Sequence, residues 1–557
     1  MFRCNGAQVA FVLAFLGTFG CSSDDNATPS GGSAGISAGG TAGGSAGHAG
    51  MNAAGNGGLA GSGAAAGGGT DAGAGSPGSG GAVASGGGWS GGTGGSGALA
   101  SGGSSSGGTG GSGGAASGGN AGSSGSSGNG NVNPNFVPKA SDYLYVDLNR
   151  ATNGSGASPQ DPSNVLPTHL PSGRQLFFNG DGGIQRISCR DNSLWVDGDN
   201  VQIGSFGSKR AVISAYQVFS GGWTQVGTST VYKRSFAGGT SGAGPVVGNV
   251  IDLSSHVDSP EGDVLQWQNL EEEGNKIGVF RANPAVLPKG AYAYDWQQQV
   301  MYVNVGKNAN TSQLGIACVG RFINTANNLA PGFVAVHDLR LIGFSRVAIN
   351  LAGGAHYWRI HDLQLYASGG MYNTTSQWYF GSGVQMTQQV NNVEIDHNEF
   401  VETFDSPITP QHFGGSSGGN LHDIFVHDNL VDRWALGGVE ISDFGTSNKF
   451  SAIRVWNNTM KHGGSGFSGI GDTPTGITDG VQVRGGAAGG SISGLSIIGN
   501  RIHAFDANVA LSGNHFQDAV VLENNDLCGA TTAVKNAAKA TLQSKNNSIH
   551  PAPCSFE

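Results

Sequence analysis

The chain has 557 residues, 101 of them glycine, with 11% charged residues and a formal net charge of −10. That acidic balance offers no basic field to a phosphate backbone, which excludes nucleic acid as a partner. No apolar run is long enough to span a bilayer permanently, so any membrane attachment has to be through a lipid.

Residues 1–21 carry Arg3, an apolar run from Val9 to Phe19, and then Gly20-Cys21-Ser22-Ser23. This is the layout of a signal peptide. Gly20 before Cys21 resembles a bacterial lipoprotein cleavage site, although Thr18 stands where that pattern usually has Leu. The resemblance implies export, with Cys21 lipidated and the chain held at the cell surface on the outer membrane of a diderm bacterium. Plain secretion is the alternative.

Residues 22–133 are Gly, Ser, Ala and Thr with almost no charge. Such a segment buries too little apolar surface to offset its ordering entropy and is expected to be a disordered stalk. As a Gly-rich coil its root-mean-square reach is roughly 55–60 Å. Its glycines match neither a phosphate loop, which needs a strand and a helix around it, nor collagen, which needs a strict three-residue period.

Residues 134–557 are expected to form one all-β domain, beginning with YLYVDLN at 143–149. The stretch 216–330 reads as aromatic-rich hairpins and is expected to be a β insertion, with Trp223, Trp267 and Trp296 in its core. Cys189, Cys318, Cys528 and Cys554 remain after Cys4 leaves with the signal peptide and Cys21 is set aside. An exported protein permits disulfides. Cys528 and Cys554 lie about one coil apart near the C-terminus and are expected to pair, leaving Cys189 for Cys318. Metal-ligand spacing is absent.

The C-terminal half repeats one motif, a short alternating strand ending in a polar pair and Asn: VEIDHNEF at 393–400, IFVHDNLV at 424–431, IRVWNNTM at 453–460, LSIIGNRI at 495–502, VVLENNDL at 520–527 and TLQSKNNSI at 541–549. Asn398, Asn429, Asn458, Asn500, Asn525 and Asn547 fall in one column, which Leu339 and Leu363 extend toward the N-terminus at spacings of 22 to 42 residues. Such a period is that of a solenoid, whose coils bury their apolar faces only by stacking. Asn tolerates a left-handed turn, and stacked amides about 4.8 Å apart can ladder from coil to coil. These repeats resemble the right-handed parallel β-helix of the pectate-lyase-like superfamily, and NVQIGSFGSKRAVISA at 200–215 looks like the first complete coil of related secreted proteins. The resemblance implies a polysaccharide partner. It does not choose a reaction, since that superfamily holds lyases, hydrolases, epimerases and phage adhesins. A monomer is expected.

Each coil carries a further strand: GVQMT at 383–387, PITPQ at 407–411, GVEIS at 438–442, GVQVR at 480–484 and NVALS at 508–512. Period-two alternation turns Val384, Met386, Val439, Ile441, Val481 and Val483 inward. Gln385, Thr387, Thr409, Glu440, Ser442, Gln482 and Arg484 then form an outward polar strip, with Gln385, Thr409 and Gln482 as expected substrate contacts. Long segments at 371–383, 411–420, 442–450 and 461–480 flank it, and long loops on a rigid scaffold tend to carry function. Trp378, Tyr379 and Trp434 are either sugar platforms at its edges or seals between coil and loop.

Two chemistries fit. A lyase must neutralise a uronate carboxylate and abstract the neighbouring proton. Arg484 or Lys461, with or instead of Ca²⁺, serves the first role, and Lys461, His462 or His412 the second. A hydrolase needs two carboxyls flanking one glycosidic bond; the candidates are Glu440, Asp443, Asp405, Asp472 and Asp479. Of these Asp405, Asp472 and Asp479 read equally as turn caps, and Glu440 with Arg484 as a surface ion pair. The paired-Asp and Gly-His-Gly motifs of polygalacturonase-like hydrolases are absent. Asp396-His397 resembles the Ile-Asp-His signature of pectate lyases but sits in the Asn corner, with His427 and Asp428, and is read as structural. The leading expectation is a uronate lyase using Glu440, Arg484, Lys461 and His462. A glycoside hydrolase and a non-catalytic glycan-binding or adhesive β-helix are the alternatives.

Overall fold

The computed structural model describes residues 133–556 apart from 190–192, 242–243, 256–262, 268–279, 326–328, 374–377, 413–418, 444–447, 466–477, 486–489 and 514–515. Cys21, the glycine-rich segment and Asp472 lie outside the described residues, as do the side chains of Trp267, Trp378, Tyr379 and Asp443.

The fold is a parallel β-helix. One coil consists of Asn391–Asp396, Glu399–Thr403 and Ile408–His412, and the next begins at Asn420–His427. Coil on coil, these strands build, among the described residues, a first sheet of 12 strands and a second and third of 10 each. Register is kept by like-on-like stacking inside. Trp358 pairs with Val393, Val393 with Ile424 and Ile424 with Ile453, all fully buried. Each such side chain contributes about 1.5–3 kcal/mol of hydrophobic burial, and a slip of one residue would turn the whole set to the outside.

The asparagine column is continuous and, from Asn398 to Asn525, buried. Nδ2 of Asn398 donates to Oδ1 of Asn429 at 3.0 Å, Asn429 to Asn458 at 2.9 Å, Asn458 to Asn500 at 3.0 Å, Asn500 to Asn525 at 3.1 Å and Asn525 to Asn547 at 2.9 Å. Leu363 joins it through its backbone N–H, which donates to Asn398 Oδ1. One detail differs from expectation: the left-handed residue is not the column asparagine but the one before it. His397, Asp428, Asn457, Gly499, Asn524 and Asn546 carry φ of 54–66°. The turn thus separates two tasks. The first residue reverses the chain, and the second turns its amide along the stack.

The stretch after the early coils forms a five-stranded and a four-stranded sheet, with Trp223 and Trp296 buried in its own cluster. It docks on the second sheet, where Tyr216, Ile251 and Ala317 pack against Ile342, Tyr366 and Val401. Asn249 Nδ2 donates to the carbonyls of Ala367 and Gly369 at 2.7 and 2.9 Å. The coil rhythm resumes at Arg321–Thr325, which pairs in the third sheet, because Ile323 returns to the coil interior. Disulfides Cys189–Cys318 and Cys528–Cys554 are both formed.

Candidate active site

The third sheet carries the polar strip. Across its coils Asn324 pairs with Asn350, Asn350 with Gln385, and Gln385 with Thr409. Ile408 pairs with Val439, which sets Thr409 beside Glu440. Glu440 then pairs with Gln482, Gln482 with Ala510, and Ala510 with Lys535. The register through the two prolines of 407–411 is therefore the expected one, with Ile408 in the core.

The strip points out of the coil, yet it is not open to bulk water. Glu440 is 4% exposed, Gln482 2%, Gln385 3% and Thr409 1%. Strands at sheet spacing press these side chains shoulder to shoulder, and they hydrogen-bond one another. Ser406 Oγ donates to Glu440 Oε2 at 2.9 Å and Ser442 Oγ to Oε1 at 2.6 Å. Arg484 Nη1 lies 3.6 Å from the same Oε1, its side chain one quarter exposed. Gln482 Nε2 donates to Asp479 Oδ2 at 2.6 Å.

Three carboxyls thus gather around Arg484. Burial and the neighbouring Glu440 carboxylate push Asp405 well above the usual carboxylate range, against the opposing pull of Arg484 and of the Ser406 hydroxyl. Asp479 is pushed up to about 6, chiefly by burial and then by Asp506, while the Gln482 hydrogen bond, Lys535 and Arg484 oppose the shift. A carboxylic acid kept protonated beside a hydrogen-bonded carboxylate is a pair able to give and accept a proton in one step. Asp405 and Asp479 read as turn caps from sequence alone. Asp479 is set apart by its burial and Asp405, half-buried, by the neighbouring Glu440, and neither is visible in the local pattern. Ser406, whose hydroxyl donates to Glu440, left no signal beyond its place after an Asp and before a proline.

Two of the expected catalytic residues do not converge here. Lys461 and His462 follow the second sheet, where Lys461 pairs with Asp432. The Asp432 carboxylate takes both side chains, His462 Nδ1 at 2.6 Å and Lys461 Nζ at 3.9 Å. Sequence proximity to the strand at 480–484 was misleading, because a long loop carries the chain from one sheet to the next. His412 ends a third-sheet strand in the inward phase; it is 1% exposed and lies edge-on to Phe450 at 5.0 Å. Trp434 is no sugar platform. It is fully buried in the core cluster, and its Nε1 donates to the Asp479 carbonyl at 2.9 Å, which ties the start of strand Asp479–Gly485 to the coil interior. Trp378–Phe380 forms a hairpin with Met371–Asn373, and the side chains of Trp378 and Tyr379 are outside the described set.

Among the described residues one group could gather a cation: Glu394, Asp396 and His427 on the outer face of the first sheet. It does not fit Ca²⁺, which asks for six to eight oxygen ligands. Arg359 already takes Asp396 with Nε at 3.0 Å and Nη2 at 2.8 Å, and one of the three donors is an imidazole stacked on Trp456 at 4.1 Å. Against the pull of burial, the Arg359 and His397 hydrogen bonds hold Asp396 below the usual carboxylate range. This corner is an ion-pair network that braces the coils.

No protein-family model matches the sequence, and no curated protein matches it significantly. Three solved structures are similar in fold at low identity. One is described as a glycoside hydrolase, with 8% identity over 74% of this chain and 97% of that one, at a TM-score of 0.39. Another, named XylC and solved with xylose, has 10% identity over 70% and 69%, at 0.35. The third, a GH136 lacto-N-biosidase from Eubacterium ramulus, has 8% identity over 74% and 68%, at 0.30.

Proposed function

We propose that the chain is a glycoside hydrolase whose reacting groups are Asp405 and Glu440 on the third sheet of the β-helix. The observation that carries this reading is a pair of unlike carboxyls on one sheet: Glu440 is held by two hydroxyls and Arg484, and burial and Glu440 raise Asp405 well above the usual carboxylate range. Hydrolysis of a glycosidic bond needs one carboxyl to protonate the leaving oxygen and a second to act at the anomeric carbon, as base to water or as nucleophile. Asp405 is the proton donor. Glu440 is the second carboxyl, with Ser406, Ser442 and Arg484 fixing its orientation. The uronate-lyase expectation loses its support with Lys461 and His462, since no cation–base pair from those residues faces the strip. Ca²⁺ is not required by this reading.

Export is proposed with it. Two disulfides suit an oxidising compartment, and Cys21 would anchor the chain at the cell surface, with residues 22–133 holding the β-helix off it. The test is incubation of the full chain with a panel of neutral and uronate polysaccharides. New reducing ends without the ultraviolet absorbance of an unsaturated uronide support hydrolysis. Appearance of that absorbance means elimination and sinks the proposal, and binding without products on every substrate favours the non-catalytic alternative.

A further inference from the structure

The strand Asp479–Gly485 carries three buried polar atoms with no hydrogen-bond partner: Asp479 Oδ1, Gln482 Oε1 and Arg484 Nη2. Asp479 and Gln482 are 1% and 2% exposed. An unpaired buried polar atom costs about 1–3 kcal/mol, so three on one strand mark a place built for a partner. Their neighbouring atoms are engaged: Asp479 Oδ2 accepts from Gln482 Nε2, and Arg484 Nη1 lies 3.6 Å from Glu440 Oε1. The three unpaired atoms are two acceptors and one donor.

That set selects its ligand. Two acceptors call for two donors, and one donor calls for an acceptor. Adjacent hydroxyls of a sugar ring supply all three, because each hydroxyl donates once and also accepts. A uronate carboxylate supplies acceptors alone. It would match Arg484 while facing the carboxyls of Asp479 and Glu440, and the other cation acting on Asp479, Lys535, is paired with Asp506 at 3.0 Å. Resting on the hydrolase reading above, we propose that Asp479, Gln482 and Arg484 form a subsite that reads two free adjacent hydroxyls of a neutral sugar ring next to the scissile bond.

The experiment uses the full chain with Glu440→Gln, which stops turnover, titrated calorimetrically with neutral oligosaccharides, their O-methylated forms and oligouronates. The neutral series should bind, and Gln482→Leu, which removes the acceptor at similar size, should weaken binding about tenfold, the scale of one hydrogen bond. O-methylated ligands, which cannot donate, should lose at least as much on the chain without the Leu change, so the result stands even if Gln482→Leu misfolds. Tighter binding of oligouronates, or equal affinity for free and O-methylated sugars, overturns the subsite. Donor-dependent binding without any hydrolysis by the unaltered chain would keep the subsite and remove the hydrolase reading. Hydrolysis with donor-independent binding would do the reverse.

Discussion

Replacing Asn458 by Leu tests whether the amide column is structural. Asn458 Nδ2 donates to Val426 O at 2.9 Å, Trp456 O at 3.0 Å and Asn500 Oδ1 at 3.0 Å. Its Oδ1 accepts from Asn429 N at 3.1 Å and from Asn429 Nδ2 at 2.9 Å. Leu removes all of these. Asn429 Nδ2 keeps Ile395 O and Asn500 Oδ1 keeps the Asn458 backbone N–H. The Asn429 N–H and the side-chain donation to Val426 O are lost outright in a dry corner. At about 1–3 kcal/mol for each of these two orphaned groups, the loss is about 2–6 kcal/mol. In a solenoid the damage should start at the coils on either side. Denaturant melts of the full chain give the sum, and hydrogen exchange at Asn429 gives the place. Asn547→Leu is the internal control, since its contacts at the column's end are only partly buried and water can replace them. A midpoint for Asn458→Leu within about 0.5 kcal/mol of the parent, or an effect no larger than that of Asn547→Leu, would refute the argument.

Arg484→Ala should lower turnover by at least about 100-fold with the fold intact, the scale of one positioned electrostatic group; an equally active variant would detach Arg484 from the chemistry. Asp479 has a folded pKa raised to about 6, so its ionisation lowers stability progressively from pH about 4 to about 6. Asp479→Asn should therefore unfold at a higher midpoint than the parent at pH 8, with the gap closing near pH 4, and a gap of opposite sign would contradict the burial argument. Asp396 is depressed instead, so Asp396→Asn should lose about 3 kcal/mol at neutral pH. That difference should fade as the pH falls below the ordinary carboxylate range, and kcat should change less than stability. A folded but inactive Asp396 variant would move the active site to the first sheet.

The repeat made the fold legible, because a buried amide column and an inward alternating strand each leave a period in the sequence. The third-sheet register was equally readable: Val439 and Ile441 inward fix Glu440 outward, and Gln482 follows from Val481 and Val483. What the pattern could not supply was the path of the chain between sheets. Lys461 and His462 precede the strand at 480–484 in sequence but end a strand of another sheet, and Asp432, their actual partner, lies about one coil back. Trp434 shows the same limit. An aromatic at the end of a strand looks like a loop-edge platform until the coil closes over it. Asp405 was readable only as a candidate, since its special environment comes from Glu440, 35 residues away.

In the proposed hydrolase Asp405 donates a proton to the leaving oxygen while Glu440 acts at the anomeric carbon. The most direct measurement compares full-chain Asp405→Asn and Glu440→Gln on a natural glycan and on an aryl glycoside of the same sugar whose leaving group needs no protonation. Asp405→Asn should lose the natural glycan but keep much of its activity on the aryl glycoside, while Glu440→Gln should lose both. Equal loss on both substrates in Asp405→Asn, or full activity in Glu440→Gln, would contradict it.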